Sequence, residues 1–451
     1  MKKAFHIQLI SYVPLLKRMG FIFREKAKTL SVGTCEMESG YEVILSCRTL
    51  DTVTLLDLVL PELKKLKVSF RLVKDQESQY RLNSGAFGEN EVGKVLVIFI
   101  SSLETGSALI EWLVNRTAFL KGPVIPFAKR IGEIVYLQAF SRSDNVASLS
   151  KIDIKKLPFA VSTSYLRKDT KRKFIGRYYL PVAILKASPK GDIYRAINLR
   201  RFSFTWCLIK EGKPVALDDH FNRDMRHRLQ WQRDILLQMA DVVNTPALID
   251  FIESGDTTYL ITAFAEGEQL GSKVHALLNG TTWARLANAD QIALLTWYSQ
   301  ALDIVKAIHQ KGFVHRDITD SNFIISDDGK LSIIDFELAF HIVRHKPDPP
   351  FLLGTFGYAA PEQLQYAVPD FSEDIYSLGA LLCHILTGIP PYEMISDDLH
   401  TVQAKLSRLT ENRNLTKLAV KCLSMQRSGR PLLIELKGEI IKEINSLKQI
   451  A

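Results

Sequence analysis

Residues Gly312 to Phe340 read G-F-V-H-R-D-I-T-D-S-N-F-I-I-S-D-D-G-K-L-S-I-I-D-F-E-L-A-F. Two short apolar runs, Phe323–Ile325 and Leu331–Ile334, flank the turn-forming Asp327-Asp328-Gly329, and this pattern predicts a β-hairpin. Asp317 and Asn322 stand just before the first strand, and Asp335 stands at the end of the second. Oxygen-bearing side chains are thereby gathered at one end of a small rigid unit. Such an arrangement suits phosphoryl transfer, whose transition state is stabilised by positioning and by metal-held charge. An ordinary hairpin with exposed carboxylates is the plain alternative for any one of these signals.

The signals occur together and in order. His315-Arg316-Asp317 with Asn322, then Asp335-Phe336, then Ala360-Pro361-Glu362 resembles the catalytic core of the protein kinases. The resemblance implies ATP and Mg²⁺ as cofactors. Asp317 would accept the proton of the attacking hydroxyl, and Asn322 and Asp335 would hold Mg²⁺ against the phosphates. Upstream, Leu185 to Ala196 takes the place of the glycine-rich phosphate loop, with only Gly191 remaining and Lys190 adding charge. Trp206 to Lys210 reads as a strand whose Lys210 would contact the α- and β-phosphates.

His227 to Met239 reads as an amphipathic helix. The resemblance puts Gln232 where active kinases carry a Glu, with Asp234 as an alternative partner for Lys210. Tyr259 to Gly267 resembles the hinge, where backbone groups of Ala263 to Ala265 would read adenine and Thr262 would face the back of the pocket. Ile292 to His309 reads as a supporting helix. Glu337 replaces the usual Gly, and Thr319 replaces a Lys common in Ser/Thr kinases. Gly354 to Glu362 would form the floor for an acceptor peptide, Asp374 would brace the catalytic loop, and Glu362 would pair with Arg430.

A chain of 451 residues has room for two or three domains. Its 47% hydrophobic and 24% charged content is that of a soluble globular protein. The net charge of +9 predicts a mildly basic surface, suited to phosphorylated or acidic substrates. No Lys/Arg run is dense enough to argue for nucleic acid. Cys35, Cys47, Cys207, Cys383 and Cys422 lack metal spacing, which predicts buried thiols and a cytoplasmic protein. Cys383-His384 reads as core packing. The N-terminus lacks a signal-peptide cleavage site, and no run approaches the roughly 20 apolar residues of a membrane span.

Between Tyr41 and Phe140 strand and helix signals alternate. Strands are expected at Tyr41–Leu45, Val68–Val73 and Val95–Ile100, and helices at Leu50–Leu66 and near Ser107–Leu120. The segments Val68–Arg71, Leu82–Phe99 and Lys121–Phe127 resemble the lyase region of class III and class IV lanthipeptide synthetases. In those enzymes a kinase phosphorylates Ser or Thr of a precursor peptide, a lyase eliminates the phosphate, and a zinc cyclase follows. The elimination needs a base at Cα, an acid for the leaving phosphate, and cations to hold it.

By this resemblance Lys94 falls on a lysine of the family pattern, and Arg71 stands where the family has a Lys. Lys28-Thr29-Leu30 stands near a Lys-x-His, so that Leu30 replaces the acid. Solvated surface charge is the plain reading of Lys28, Arg71 and Lys94.

The expected architecture is α+β throughout. A lyase-like N-terminal domain (1–165) is followed by a linker (166–178), within the polar and basic stretch Ser162–Gly176, and then a bilobal protein kinase fold (N-lobe 179–265, C-lobe 266–451). The expected partner is a precursor peptide. With the chain ending at Ala451, soon after Arg430, a cyclase would be a separate protein. Homodimerisation is left open. The resemblances admit three functions: a kinase–lyase of lanthipeptide-type maturation, a Ser/Thr kinase whose N-terminal domain only binds, and a pseudokinase scaffold.

Overall fold

The computed structural model describes residues 9–34, 39–100, 103–141, 174–200, 204–352, 354–365 and 367–450. Strands Ser39–Leu45 and Leu96–Ile100 pair antiparallel, setting Val43 opposite Ile98 and Leu45 opposite Leu96. Because side chains alternate along a strand, these four share one face with Phe70 and Leu72 of the neighbouring strand Phe70–Val73. That face is buried against helices Thr52–Leu66 and Leu103–Arg116, through Leu55, Leu56, Val59, Leu109 and Leu113. The complete sheet is antiparallel, in the order Phe23–Glu25, Thr29–Val32, Phe70–Val73, Leu96–Ile100, Ser39–Leu45, Val135–Ser141, Lys129–Arg130. Its other face carries Ile44, Val97 and Tyr136 against Ile125.

The expected strands and the first helix are present. The second helix begins earlier than expected, at Leu103, and ends at Arg116. The start of the linker expected at 166–178 lies outside the described residues. Its end is packed: Ile175 exchanges backbone hydrogen bonds with Tyr179 (2.9 and 3.3 Å) and is buried.

A second antiparallel sheet runs in the order Leu248–Ser254, Thr257–Ala263, Thr205–Gly212, Ile193–Asn198, Tyr179–Lys186. Lys210 and Leu260 are register partners and share a face. Leu260 joins the core that contains Leu229, Leu236 and Met239 of helix Met225–Met239, so Lys210 points toward that helix. Beyond this sheet the chain is mainly helical. Asn288–Gln310 and Ser372–Thr387 form its centre, and the expected hairpin Phe323–Ile325/Leu331–Ile333 lies against them. Among the described residues no helix is long and apolar enough to cross a membrane, and the described cysteines, Cys47, Cys207, Cys383 and Cys422, are free and buried.

The two halves meet at the loop between Gly212 and Met225. Asp218 is buried there, accepting hydrogen bonds from the Thr49 N–H (2.7 Å) and the Asn83 side-chain amide (3.0 Å). Burial pushes its carboxyl from the ordinary 3.8 up to about 6, against the pull of those donors. The folded chain therefore holds this proton more tightly than the unfolded chain. The stability it contributes is complete below about pH 4 and is lost as pH rises through about 6, a change on the order of 3 kcal/mol. Asp218→Asn is expected to flatten this part of the profile, so the wild-type-minus-variant difference in urea-unfolding free energy shrinks from pH 4 to pH 7. A difference independent of pH would contradict the assignment.

Candidate active site

Helix Met225–Met239 is capped by Asp224, which accepts from the Arg226 N–H at 3.0 Å. Its buried stripe of Leu229, Gln232, Leu236 and Met239 faces the sheet. Gln232 thereby meets Lys210, whose ammonium lies 3.4 Å from the Gln232 Oε1 and 2.7 Å from Asp335 Oδ2. Asp234, the other expected partner, lies off this stripe and pairs with its neighbour Arg233 at 2.6 Å. Of the two, Gln232 is the side chain that lies beside Lys210. Burial raises the Asp335 carboxyl, but Lys210 outweighs it and, with Lys190 beyond, holds Asp335 below the ordinary carboxylate range.

Asn322 Nδ2 donates to Asp317 Oδ2 (2.9 Å) and to the Asp317 carbonyl (2.8 Å). The two groups of residues are joined through the hairpin, where the Ile334 N–H donates to the Asn322 carbonyl at 3.0 Å. Thr355 donates its hydroxyl to Asp317 Oδ1 at 2.8 Å. Burial lifts the Asp317 carboxyl above its ordinary value; the Thr355 hydroxyl opposes this and the neighbouring Asp335 and Glu337 carboxylates add to it.

Among the described residues no cluster of three or more His, Cys, Asp and Glu side chains is arranged to hold a metal. An amide with one or two carboxylates suits Mg²⁺, which keeps waters and phosphate oxygens among its ligands.

Gly191 has φ +145°, and a Cβ there would stand 1.8 Å from the Glu211 carbonyl oxygen. Strand packing itself therefore demands the glycine, beyond the nucleotide access expected of it. Lys190 next to it faces Glu337 at 3.8 Å. At the hinge the Ala263 N–H is committed to the Ala247 carbonyl (2.8 Å) and the Phe264 N–H to the Trp206 carbonyl (3.3 Å); Ala265 lies past both. Asp374, fully buried, receives the backbone N–H groups of His315 and Arg316, each at 2.8 Å, and so braces the catalytic loop as expected. Arg430 grips Glu362 with two nitrogens, at 2.5 and 2.9 Å. His384 bonds the Ile389 carbonyl (3.0 Å) beside buried Cys383, which is core packing.

Residues 212–439, just over half of the chain, match the protein kinase domain family. The chain belongs to the protein kinases. The match begins just past Lys210, after the hairpin in which only Gly191 is kept. The kinase is similar to serine/threonine-protein kinase C of Synechocystis (28% identity, over 51% of this chain and 42% of the relative). It is also similar to serine/threonine-protein kinase PknB of Mycolicibacterium smegmatis (29%, over 38% and 27%) and to sperm motility kinase 2B of the mouse (32%, over 36% and 31%). The kinase spans well under half the length of these relatives.

In the N-terminal half the expected cationic residues divide. Arg71 and Lys94 converge on one carboxylate, Glu91, at 3.6 and 3.7 Å. Lys28 has a different neighbour, its ammonium lying 4.0 Å from the centre of the Phe87 ring. Leu30 pairs with Leu72 in the core, whereas Arg71 pairs with Ser31 and so points to the opposite face. Residue 30 is therefore not the acid's position, because the register turns it into the apolar layer. Glu42, which the sequence reading missed, shares a strand face with Ile44, opposite Gln138. Burial lifts its carboxyl above the ordinary value, and Arg71 and Lys94 pull it down.

Proposed function

We propose that this kinase uses ATP and Mg²⁺ to phosphorylate Ser or Thr of a precursor peptide in lanthipeptide-type maturation, and that its N-terminal half eliminates the phosphate. The observation that carries the kinase reading is the pairing of Lys210 with Asp335 beside the pairing of Asn322 with Asp317. Asp317 accepts the proton as the peptide oxygen bonds to the γ-phosphorus and ADP leaves. Thr355 and Asn322 fix the orientation of that carboxylate. Asn322 and Asp335 would hold Mg²⁺, which supplies charge neutralisation for the phosphates, and Lys210 would bind the α- and β-phosphates. Retention of this set disfavours a scaffold without chemistry.

The lyase reading is supported by Arg71 and Lys94 both approaching Glu91 and both lying close enough to Glu42 to pull its carboxyl down. A base there takes the Cα proton, the Cβ–O bond breaks, and phosphate leaves into the cations. The second reading, a Ser/Thr kinase whose N-terminal half only binds, is favoured by Glu91 engaging both Arg71 and Lys94.

Mass spectrometry of a Ser/Thr-bearing peptide encoded beside this gene, incubated with ATP and Mg²⁺, separates them. Gain of a phosphoryl group supports the kinase alone, and net loss of water supports kinase and lyase. Lys94→Ala is expected to accumulate phosphopeptide, with elimination slowed on the order of 100-fold. Unchanged dehydration in that variant would remove the lyase assignment.

A further inference from the structure

The segment between Asp335 and Glu362 passes through Pro349 to Leu352, whose backbone carbonyls are taken in turn by arginines from separate elements. Arg223, in the loop before helix Met225–Met239, donates to the Pro349 carbonyl (2.6 Å) and the Pro350 carbonyl (3.5 Å). Arg316 of the catalytic loop donates to the Phe351 carbonyl at 2.7 Å. Arg228 on the helix, only 1% exposed, donates to the Leu352 carbonyl at 3.1 Å. The Phe351 ring lies against Arg223 (4.4 Å) and Arg228 (5.0 Å).

Kinases commonly order this segment by phosphorylating it, so that new arginine–phosphate pairs form. Here no Ser, Thr or Tyr occurs from Phe336 to Gly354. The next hydroxyls are engaged: Thr355 with Asp317 (2.8 Å) and Tyr358 with Asp320 (2.6 Å). Arg316 already has its charge matched by buried Glu373 at 3.0 Å, and Arg223 has its charge matched by Asp219 at 2.7 Å. Charge-assisted bonds to carbonyls, together with the stiff Pro347, Pro349 and Pro350, offset the ordering cost that a phosphate would otherwise meet.

The loop that carries Arg223 is fastened at its other side to the N-terminal half. Asp218 receives Thr49 and Asn83, Asn222 receives Arg48 at 3.1 Å, and the His220 ring lies 5.8 Å from that of Tyr80. Within the loop, Asp219 receives the N–H groups of Phe221 (2.9 Å) and Arg223 (3.0 Å).

We propose that Arg223, Arg228 and Arg316 hold the activation segment in its working position without an activating phosphate, and that the N-terminal half holds the arginine-bearing loop in place. The site is thus competent as folded, and its competence depends on the domain in front of it. This rests on the kinase reading above, and the test is chosen to separate the two.

Hydrogen exchange over residues 340–352 is compared in the full chain, in Arg223→Gln and in Asp218→Ala, alongside peptide phosphorylation by the full chain before and after phosphatase treatment. Expected are about tenfold faster exchange in both variants, a kcat about tenfold lower in Arg223→Gln with KM for ATP within about twofold, and no loss of rate on phosphatase treatment. A rate abolished by phosphatase overturns the phosphate-free clamp, and so does unchanged exchange in Arg223→Gln. Faster exchange in Arg223→Gln with none in Asp218→Ala overturns the role of the N-terminal half. Exchange is read without turnover, so a chain that transferred no phosphate would defeat the kinase reading while the exchange result still decided this one.

Discussion

Asp317→Asn is expected to phosphorylate peptide about 1,000-fold more slowly than the wild type, with nucleotide affinity within about threefold. The carboxylate is the group on this loop placed to take a proton. Its Oδ2 receives Asn322 at 2.9 Å and its Oδ1 receives Thr355 at 2.8 Å, so both oxygens are aimed by neighbours. Burial and the adjoining carboxylates hold its pKa above the ordinary value, which strengthens it as a base. An asparagine keeps the shape and the oxygen but accepts no proton there. Initial rates with a saturating peptide measure the effect, and a loss below about tenfold would mean that Asp317 is not the base.

Arg430→Met is expected to lower unfolding free energy by about 3–5 kcal/mol, the usual result of leaving one member of a buried ion pair alone. Arg430 and Glu362 side chains are 1% and 10% exposed and bonded at two points. The same guanidinium also donates to the carbonyls of Ser372 and Ser424, each at 2.9 Å, and covers the Tyr376 ring at 5.0 Å. Methionine keeps much of the volume and supplies none of the donors. Arg427, 3.4 Å from Glu362, remains as a partial substitute, which places the expectation nearer the lower figure. Urea unfolding measures it; a loss under about 1 kcal/mol would show that Arg427 carries the carboxylate unaided.

What could be read beforehand follows from how local each signal is. The hairpin around Gly329 was legible because two apolar runs and a turn lie within a few residues. Helix Thr52–Leu66 was legible because its apolar period is long and regular. The edge strands Phe23–Glu25 and Lys129–Arg130 were not, since their side chains are mostly half-buried or exposed and alternation carries no signal there. Leu103–Arg116 begins in Leu-Glu-Thr-Gly, a polar turn that hides its start. Between Gln232 and Asp234 helical spacing could have decided, because Gln232 lies three residues after Leu229 and four before Leu236. The side on which Leu30 falls depends on register with Leu72, and the carbonyl partners of Arg223 and Arg228 lie more than a hundred residues away. Neither is written in any local pattern.

The nearness of Lys190 to Glu337 has a consequence for how nucleotide arrives. That ammonium faces a carboxylate at 3.8 Å, so a triphosphate brought to it would exchange one anion for another instead of filling a bare positive hole. Part of the attraction is cancelled before the ligand enters, and the remainder weakens as added salt screens it.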